Sequence, residues 1–222
     1  MNPLRRAAHL LRQGWLSLTM RSSGDYWERR YRLGMTSGPG STGKLAIFKA
    51  EVLNRFVRDN GIGTVIEFGC GDGTQLAFAE YPSYLGIDVS PAAIDRCCRR
   101  FAGDATKSFR LQGGAGGAGD VEQADLTLSL DVIYHLLEDP VYHRYMDDLF
   151  GASRRWVVVY SSNREESTGA RHVRHRRFLD DVRTRFPEFS VVGKVENPFP
   201  AESFADFYFF ERTSSASAAS RP

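Results

Sequence analysis

The chain lacks the cysteines for a disulfide framework. Cys70, Cys97 and Cys98 are the only three in 222 residues, and they show no paired C-x-x-C spacing of a structural metal site, so a reducing, cytoplasmic setting is expected. It also lacks charge of one sign. Lys and Arg total 29 against 27 Asp and Glu, a net +2, which removes any broad electrostatic reason for a nucleic-acid partner. No segment approaches the roughly 20 apolar residues needed to cross a bilayer, so stable membrane insertion is not expected. Near the N-terminus, Arg12 and Gln13 interrupt the apolar run and no small-residue cleavage signal follows, so secretion is not expected. Leu4, Leu10, Leu11 and Leu18 suit a weakly amphipathic helix packed on the domain. What the chain does have is a hydrophobic content of 42%, enough at this length for one α/β core rather than two.

Spacing supplies the architecture. Leu45, Phe48, Val52 and Phe56 recur at three and four residues, predicting an amphipathic helix from Lys44 to Asp59 that closes at Asn60-Gly61. Thr64 to Phe68 is short, apolar and β-branched, and runs into a glycine turn followed by a second helical stretch. The alternation continues with strands at Tyr84–Val89, Ser108–Gln112 and Asp125–Leu130, and helices opening at Ser90-Pro91 and Asp139-Pro140. Trp156 to Tyr160 is the most strand-like run and should lie mid-sheet. A helix at Arg177–Phe186 and strands at Phe189–Val195 and Phe204–Phe210 complete the series. The prediction is an α/β fold: a Rossmann-like, doubly wound, mainly parallel seven-stranded sheet with an antiparallel edge hairpin. Residues 1–43 are expected to form a helical segment and lid and 44–212 the ligand-binding domain. The glycine-rich loop 113–119 and the tail 213–222 are expected to be mobile.

In such a sheet ligands bind at the carboxyl ends of the strands. The first turn there reads Glu67-Phe68-Gly69-Cys70-Gly71-Asp72-Gly73. Alternate glycines let backbone pass close under a ligand, and Glu67 can accept from a cationic amine. The sixth position from Gly69 is Thr74, which departs from the dinucleotide pattern and disfavours a nicotinamide cofactor. Asp88, 21 residues beyond Glu67 (88 minus 67), ends the next strand, where a carboxylate can accept from both hydroxyls of a ribose.

The strings VIEFGCGDGTQL and LGIDVSPAAI resemble the first two signature motifs of class I S-adenosylmethionine-dependent methyltransferases. That resemblance implies S-adenosyl-L-methionine as cofactor. It places Gly69, Cys70 and Gly71 near the methionine part, Glu67 near its amine, and Asp88 at the ribose. Val89 and Asp131 are further candidates for the same site. The strings DYWERRYRLGMTSGPGSTGKLAIFKAEVLNRFV, SLDVIYHLLEDPVYHRYM, YSSN, HVRHRRF and SFADFYFFER are similar to the mycobacterial methylmannose polysaccharide 1-O-methyltransferase group of sugar O-methyltransferases. A small saccharide acceptor follows from that resemblance.

Chemistry picks out further residues. A hydroxyl must lose its proton to become a good nucleophile, and His135, after the fourth strand, is the candidate base. His172, Arg174 and His175, with Tyr134 and Asn163, are candidate acceptor-binding residues, and the histidines are alternative bases. Asp131 and Asn163 could hold Mg²⁺ through hard oxygens. Gly38 to Lys44 matches G-x-x-x-x-G-K, but Leu45 replaces the required Ser or Thr, so the segment reads as a connection able to close over a cofactor. Tyr26, Trp27 and Tyr31 can supply aromatic cover there or pack an N-terminal helix. Methylation of a small amine or carboxylate, and non-catalytic cofactor binding, remain open at this level.

Overall fold

The computed structural model describes residues 14–113, 122–166 and 170–213. The glycine-rich loop beyond Gly113 and the tail beyond Thr213 lie outside them, as do Leu4, Leu10 and Leu11. Residues 14–19 are helical, and the helices α1 (Ser23–Arg32), α2 (Gly43–Asp59), α3 (Pro91–Arg100), α4 (Asp139–Gly151) and α5 (Phe178–Arg185) flank one sheet. Its strands are β1 (Val65–Phe68), β2 (Tyr84–Asp88), β3 (Lys107–Leu111), β4 (Ala124–Leu130), β5 (Ser153–Ser161), β6 (Phe189–Val195) and β7 (Asp206–Arg212). They lie in the order β3-β2-β1-β4-β5-β7-β6. The first five are parallel, and β7 runs antiparallel to both β5 and β6. This is the expected sheet with its edge hairpin, and strand limits differ from those predicted by three residues or fewer.

Alternation along the strands builds two cores. From β5, Val157 and Val159 join Phe150 of α4 and Phe178 of α5 on one face. Val158 and Tyr160 join Leu53 and Val57 of α2 and Cys97 of α3 on the other, as a period of two requires for a strand covered on both faces. Among the described residues no helix is long and apolar enough to cross a membrane. Cys70, Cys97 and Cys98 are free.

One element departs from expectation. Thr74 to Ser83 is no helix; a single 3-10 turn, Leu76–Phe78, carries the chain from β1 to β2. Ten residues, with Pro82 among them, must return the chain along the sheet to start β2, which leaves no room for several α-helical turns. α2 covers that region instead, with Asn54 donating to the Phe78 carbonyl (3.0 Å).

α3 begins as the Ser-Pro signal implies. Ser90 accepts from the Ala93 N–H (3.1 Å), and its hydroxyl donates to Glu28 of α1 (2.5 Å). Ser90→Ala removes both bonds at a fully buried position and should cost about 1–2 kcal/mol, a fall in melting temperature of roughly 2–8 °C measurable by thermal denaturation. An unchanged melting temperature would show that neither bond contributes.

Candidate functional site

The chain leaves β1 toward β2 on one side, while β4 lies on the other, so the ends of β1 and β4 diverge at a topological switch point. A cleft of about 710 Å³ opens there, a size suited to a small-molecule ligand. Gly69 (φ 79°) and Gly71 (φ 59°) form part of its floor. A Cβ on Gly69 would stand 2.5 Å from Val132 Cγ2, and one on Gly71 would stand 2.5 Å from Ser37 Oγ. Left-handed backbone and lack of space both demand glycine.

Asp88 and Glu67 reach the same cleft. The Asp88 carboxylate accepts from the Gly71 and Ser90 N–H groups, each at 2.9 Å, so it shapes the glycine turn. Burial lifts its pKa to about 6 against those backbone bonds. Glu67 accepts from the Tyr84 hydroxyl (2.6 Å), and burial lifts it to about 7, opposed by that bond and by Lys49. Both acids hold protons more tightly than in the unfolded chain. Their contribution to folding is therefore full below the ordinary carboxylate range and is lost as pH rises through about 6 to 7. For a cationic ligand the sign reverses, since Glu67 attracts it only when ionised. Affinity for a ligand amine should rise about tenfold between pH 6 and 8, and Glu67→Gln should flatten that rise. An equal rise in both proteins would assign the titration elsewhere.

Asp131, the one described non-glycine residue with positive φ (61°), ends β4 with both carboxylate oxygens engaged. Oδ2 pairs with Lys49 Nζ (2.7 Å) and Oδ1 accepts from the Tyr134 hydroxyl (2.7 Å). Asn163 does not join it. Its Oδ1 accepts from the Leu179 N–H (3.1 Å) at the start of α5, and it does not line the cleft. Asp131 and Asn163, which could have held Mg²⁺ together, are thus each engaged with different partners. Among the described residues no three His, Cys, Asp or Glu side chains converge on a metal-sized site.

The N-terminal segment covers this floor. Ser23 donates to Glu138 through its N–H (3.0 Å) and its hydroxyl (2.6 Å). Ser37 Oγ donates to Asp72 (2.9 Å), and the Arg96 guanidinium donates to the carbonyls of Tyr31 and Met35. The turn from Gly38 to Ser41 lines the cleft, whereas Lys44 points to Glu202 (2.6 Å). Tyr26, Trp27 and Tyr31 all line it and are also packed. Tyr26 stacks on His172 with centroids 4.9 Å apart, and Trp27 stands edge-on to His135 at 4.8 Å.

His135 is half-buried in this aromatic wall, parallel to His172 at 5.6 Å and tilted against Tyr134 at 4.6 Å. Its Nδ1 lies 2.9 Å from the His172 carbonyl oxygen. A carbonyl only accepts, so Nδ1 carries the proton and Nε2 the lone pair. Burial pushes the imidazole down to about 4, leaving it neutral at physiological pH.

Of the residues singled out from sequence, the cleft brings together Tyr26, Trp27, Tyr31, Glu67, Gly69, Cys70, Gly71, Asp88, Val89, Asp131, Tyr134, His135 and His172. Asn163, Arg174 and His175 lie outside its lining. Arg174 donates to the Leu137 carbonyl and pairs with Asp139, each at 2.8 Å, so the arginine cluster ties its loop to the start of α4. His175 is buried with Nδ1 2.6 Å from Ser162 Oγ and its ring edge-on to Phe204 at 4.5 Å. Phe204 and the buried Lys49 line the cleft and were not anticipated.

No protein-family model matches the chain, and no curated protein matches it. Solved structures do. The N-methyltransferase NodS from Bradyrhizobium japonicum in complex with S-adenosyl-L-homocysteine is 19% identical over 87% of this chain and 100% of its own, with a TM-score of 0.62. Magnesium protoporphyrin IX methyltransferase from Synechocystis with bound SAM is 14% identical over 88% and 99%, with a TM-score of 0.61. The methyltransferase domain of bacterial CtHen1-C is 18% identical over 75% and 97%, with a TM-score of 0.56. The chain thus shares its fold, as the sequence led one to expect, with solved methyltransferases.

Proposed function

We propose that the chain is a cytoplasmic S-adenosylmethionine-dependent O-methyltransferase whose acceptor is a small saccharide hydroxyl. The observation that carries this reading is the cleft at the β1/β4 switch point, where a Cβ-free floor at Gly69 and Gly71 joins two buried carboxylates, Glu67 and Asp88. The floor admits close backbone approach, Asp88 would accept from a ribose diol, and Glu67 would accept from an ammonium. Val89, 45% exposed beside Asp88, offers an apolar edge to a base. Bound S-adenosylmethionine would supply an electrophilic methyl group on its sulfonium.

The other half of the cleft suits the acceptor. Trp27, Tyr134, His172 and Phe204 offer ring faces and edges for the C–H faces of a sugar. His135 Nε2 takes the acceptor proton as the C–O bond forms. A hydroxyl oxygen becomes strongly acidic as it is methylated, so a base held near pKa 4 suffices and stays unprotonated at neutral pH. The segment over residues 14–43 acts as the lid that keeps water out. The sugar O-methyltransferase resemblance favours the 1-hydroxyl of 3-O-methylated mannosides among saccharides.

The test is transfer of labelled methyl from S-adenosylmethionine to a panel of methylated and unmethylated mannosides, with small amines and carboxylates alongside. Label in a glycoside ether supports the reading. Label only in an amine or ester would replace the acceptor class, and binding without transfer to any acceptor class would favour a regulator.

A further inference from the structure

Lys49 is 1% exposed yet forms part of the cleft lining. An ammonium has three N–H donors, and buried donors are ordinarily all satisfied. Lys49 spends one, on Asp131 Oδ2 at 2.7 Å, and none of the described residues takes the other two. The Tyr160 ring, 5.3 Å from Nζ, gives a cation an attractive face and no acceptor lone pair of the usual kind, and Glu67 is near enough to feel the charge but makes its hydrogen bond with Tyr84. Unspent donors on a buried cation at a ligand cleft point to an anionic ligand oxygen.

Position selects which one. Asp88 ends β2, Glu67 lies in β1, Asp131 follows β4 and Tyr160 lies in β5, so these groups mark successive points across the sheet. With ribose at Asp88, the amino-acid end of the cofactor would extend across β1 toward β4, where Lys49 is paired with Asp131. Two other cations line the cleft. Arg30 is held within the N-terminal segment by bonds to the Thr36 carbonyl (2.7 Å) and the Tyr26 hydroxyl (3.2 Å), away from the strand-end carboxylates, and Arg144 is exposed on α4.

We propose that Lys49 clamps the methionine carboxylate of the cofactor, an inference that rests on the methyltransferase reading above. Charges then alternate along the floor from Glu67 to the ligand ammonium, the ligand carboxylate, Lys49 and Asp131. Each is desolvated beside an opposite charge, the condition under which buried ions are tolerated. Gly40 fits the same arrangement, because a Cβ there would stand 3.0 Å from Asp131 Oδ2 and crowd the pair from the lid side.

The test is calorimetric titration of the full chain with S-adenosylhomocysteine and with its analogue lacking the carboxylate. Three proteins are compared: wild type, Lys49→Gln, and Lys49→Gln combined with Asp131→Asn, which leaves no uncompensated buried charge. Wild type should bind S-adenosylhomocysteine roughly 10- to 100-fold tighter than the analogue, the range of a charge-assisted hydrogen bond. In both variants that preference should collapse. Equal wild-type affinity for the two ligands, or an undiminished preference in the variants, would overturn the clamp. The wild-type comparison needs no variant and so does not depend on either one folding. Binding of neither ligand by wild type would be a different result, striking down the methyltransferase reading and the clamp with it.

Discussion

Asp88→Ala should weaken S-adenosylhomocysteine binding by roughly 100-fold or more, because the change acts twice. The carboxylate accepts from the Gly71 and Ser90 N–H groups, so its loss unfastens the glycine turn and leaves two buried donors unpaired. It also removes the proposed acceptor for the ribose hydroxyls, worth about 1.5–3 kcal/mol for a bond to a charged group. Asp88→Asn separates the two effects, since its one remaining carbonyl oxygen can still accept while the charge is gone. Calorimetry should rank wild type above Asn above Ala. Alanine binding as tightly as wild type would remove Asp88 from the cofactor site.

His135→Ala should leave cofactor affinity within about threefold and lower turnover by ~10² or more. The Nδ1–H bond to the His172 carbonyl fixes the tautomer that leaves Nε2 open, and no other cleft histidine is held this way. A merely structural role would move melting temperature and affinity together with turnover, so all three are measured, and added imidazole should restore part of the rate only where a base has been lost. Because burial holds His135 near 4, its protonation should not shape the rate between pH 6 and 8. The rise in ligand affinity expected there belongs to Glu67, held near 7, and Glu67→Gln should flatten it. Unchanged turnover in His135→Ala would exclude it as the base.

Most of the fold was legible because strand and helix periods differ, and each switch of period in this chain carries a cap or breaker such as Asn60-Gly61 or Ser90-Pro91. The helical stretch expected after the glycine turn is reduced to one 3-10 turn, because Pro82 and the short span to β2 leave no room for more. Cofactor candidates were legible for a similar reason: the glycine turn and Asp88 sit at fixed offsets from strand ends. Lys49 was not found. Leu45, Phe48, Val52 and Phe56 drew attention to one face of α2, yet Leu45, Lys49, Leu53 and Val57 form the fully buried stripe, and a lysine at that spacing was the missed signal. Its partner Asp131 is 82 residues away, and nothing local in the sequence marks such a pair. The basic run around Arg174 misled in the other direction, since charge density does not reveal that Leu137 and Asp139 absorb it.

A sulfur-nucleoside site in the β1/β4 cleft makes a prediction that one binding experiment decides. Calorimetric titration of the purified chain with S-adenosylmethionine, S-adenosylhomocysteine and NADH tests it most directly. The two sulfur nucleosides should bind saturably, one to one, and NADH should not bind. Binding of NADH alone, or of none of the three, would contradict it.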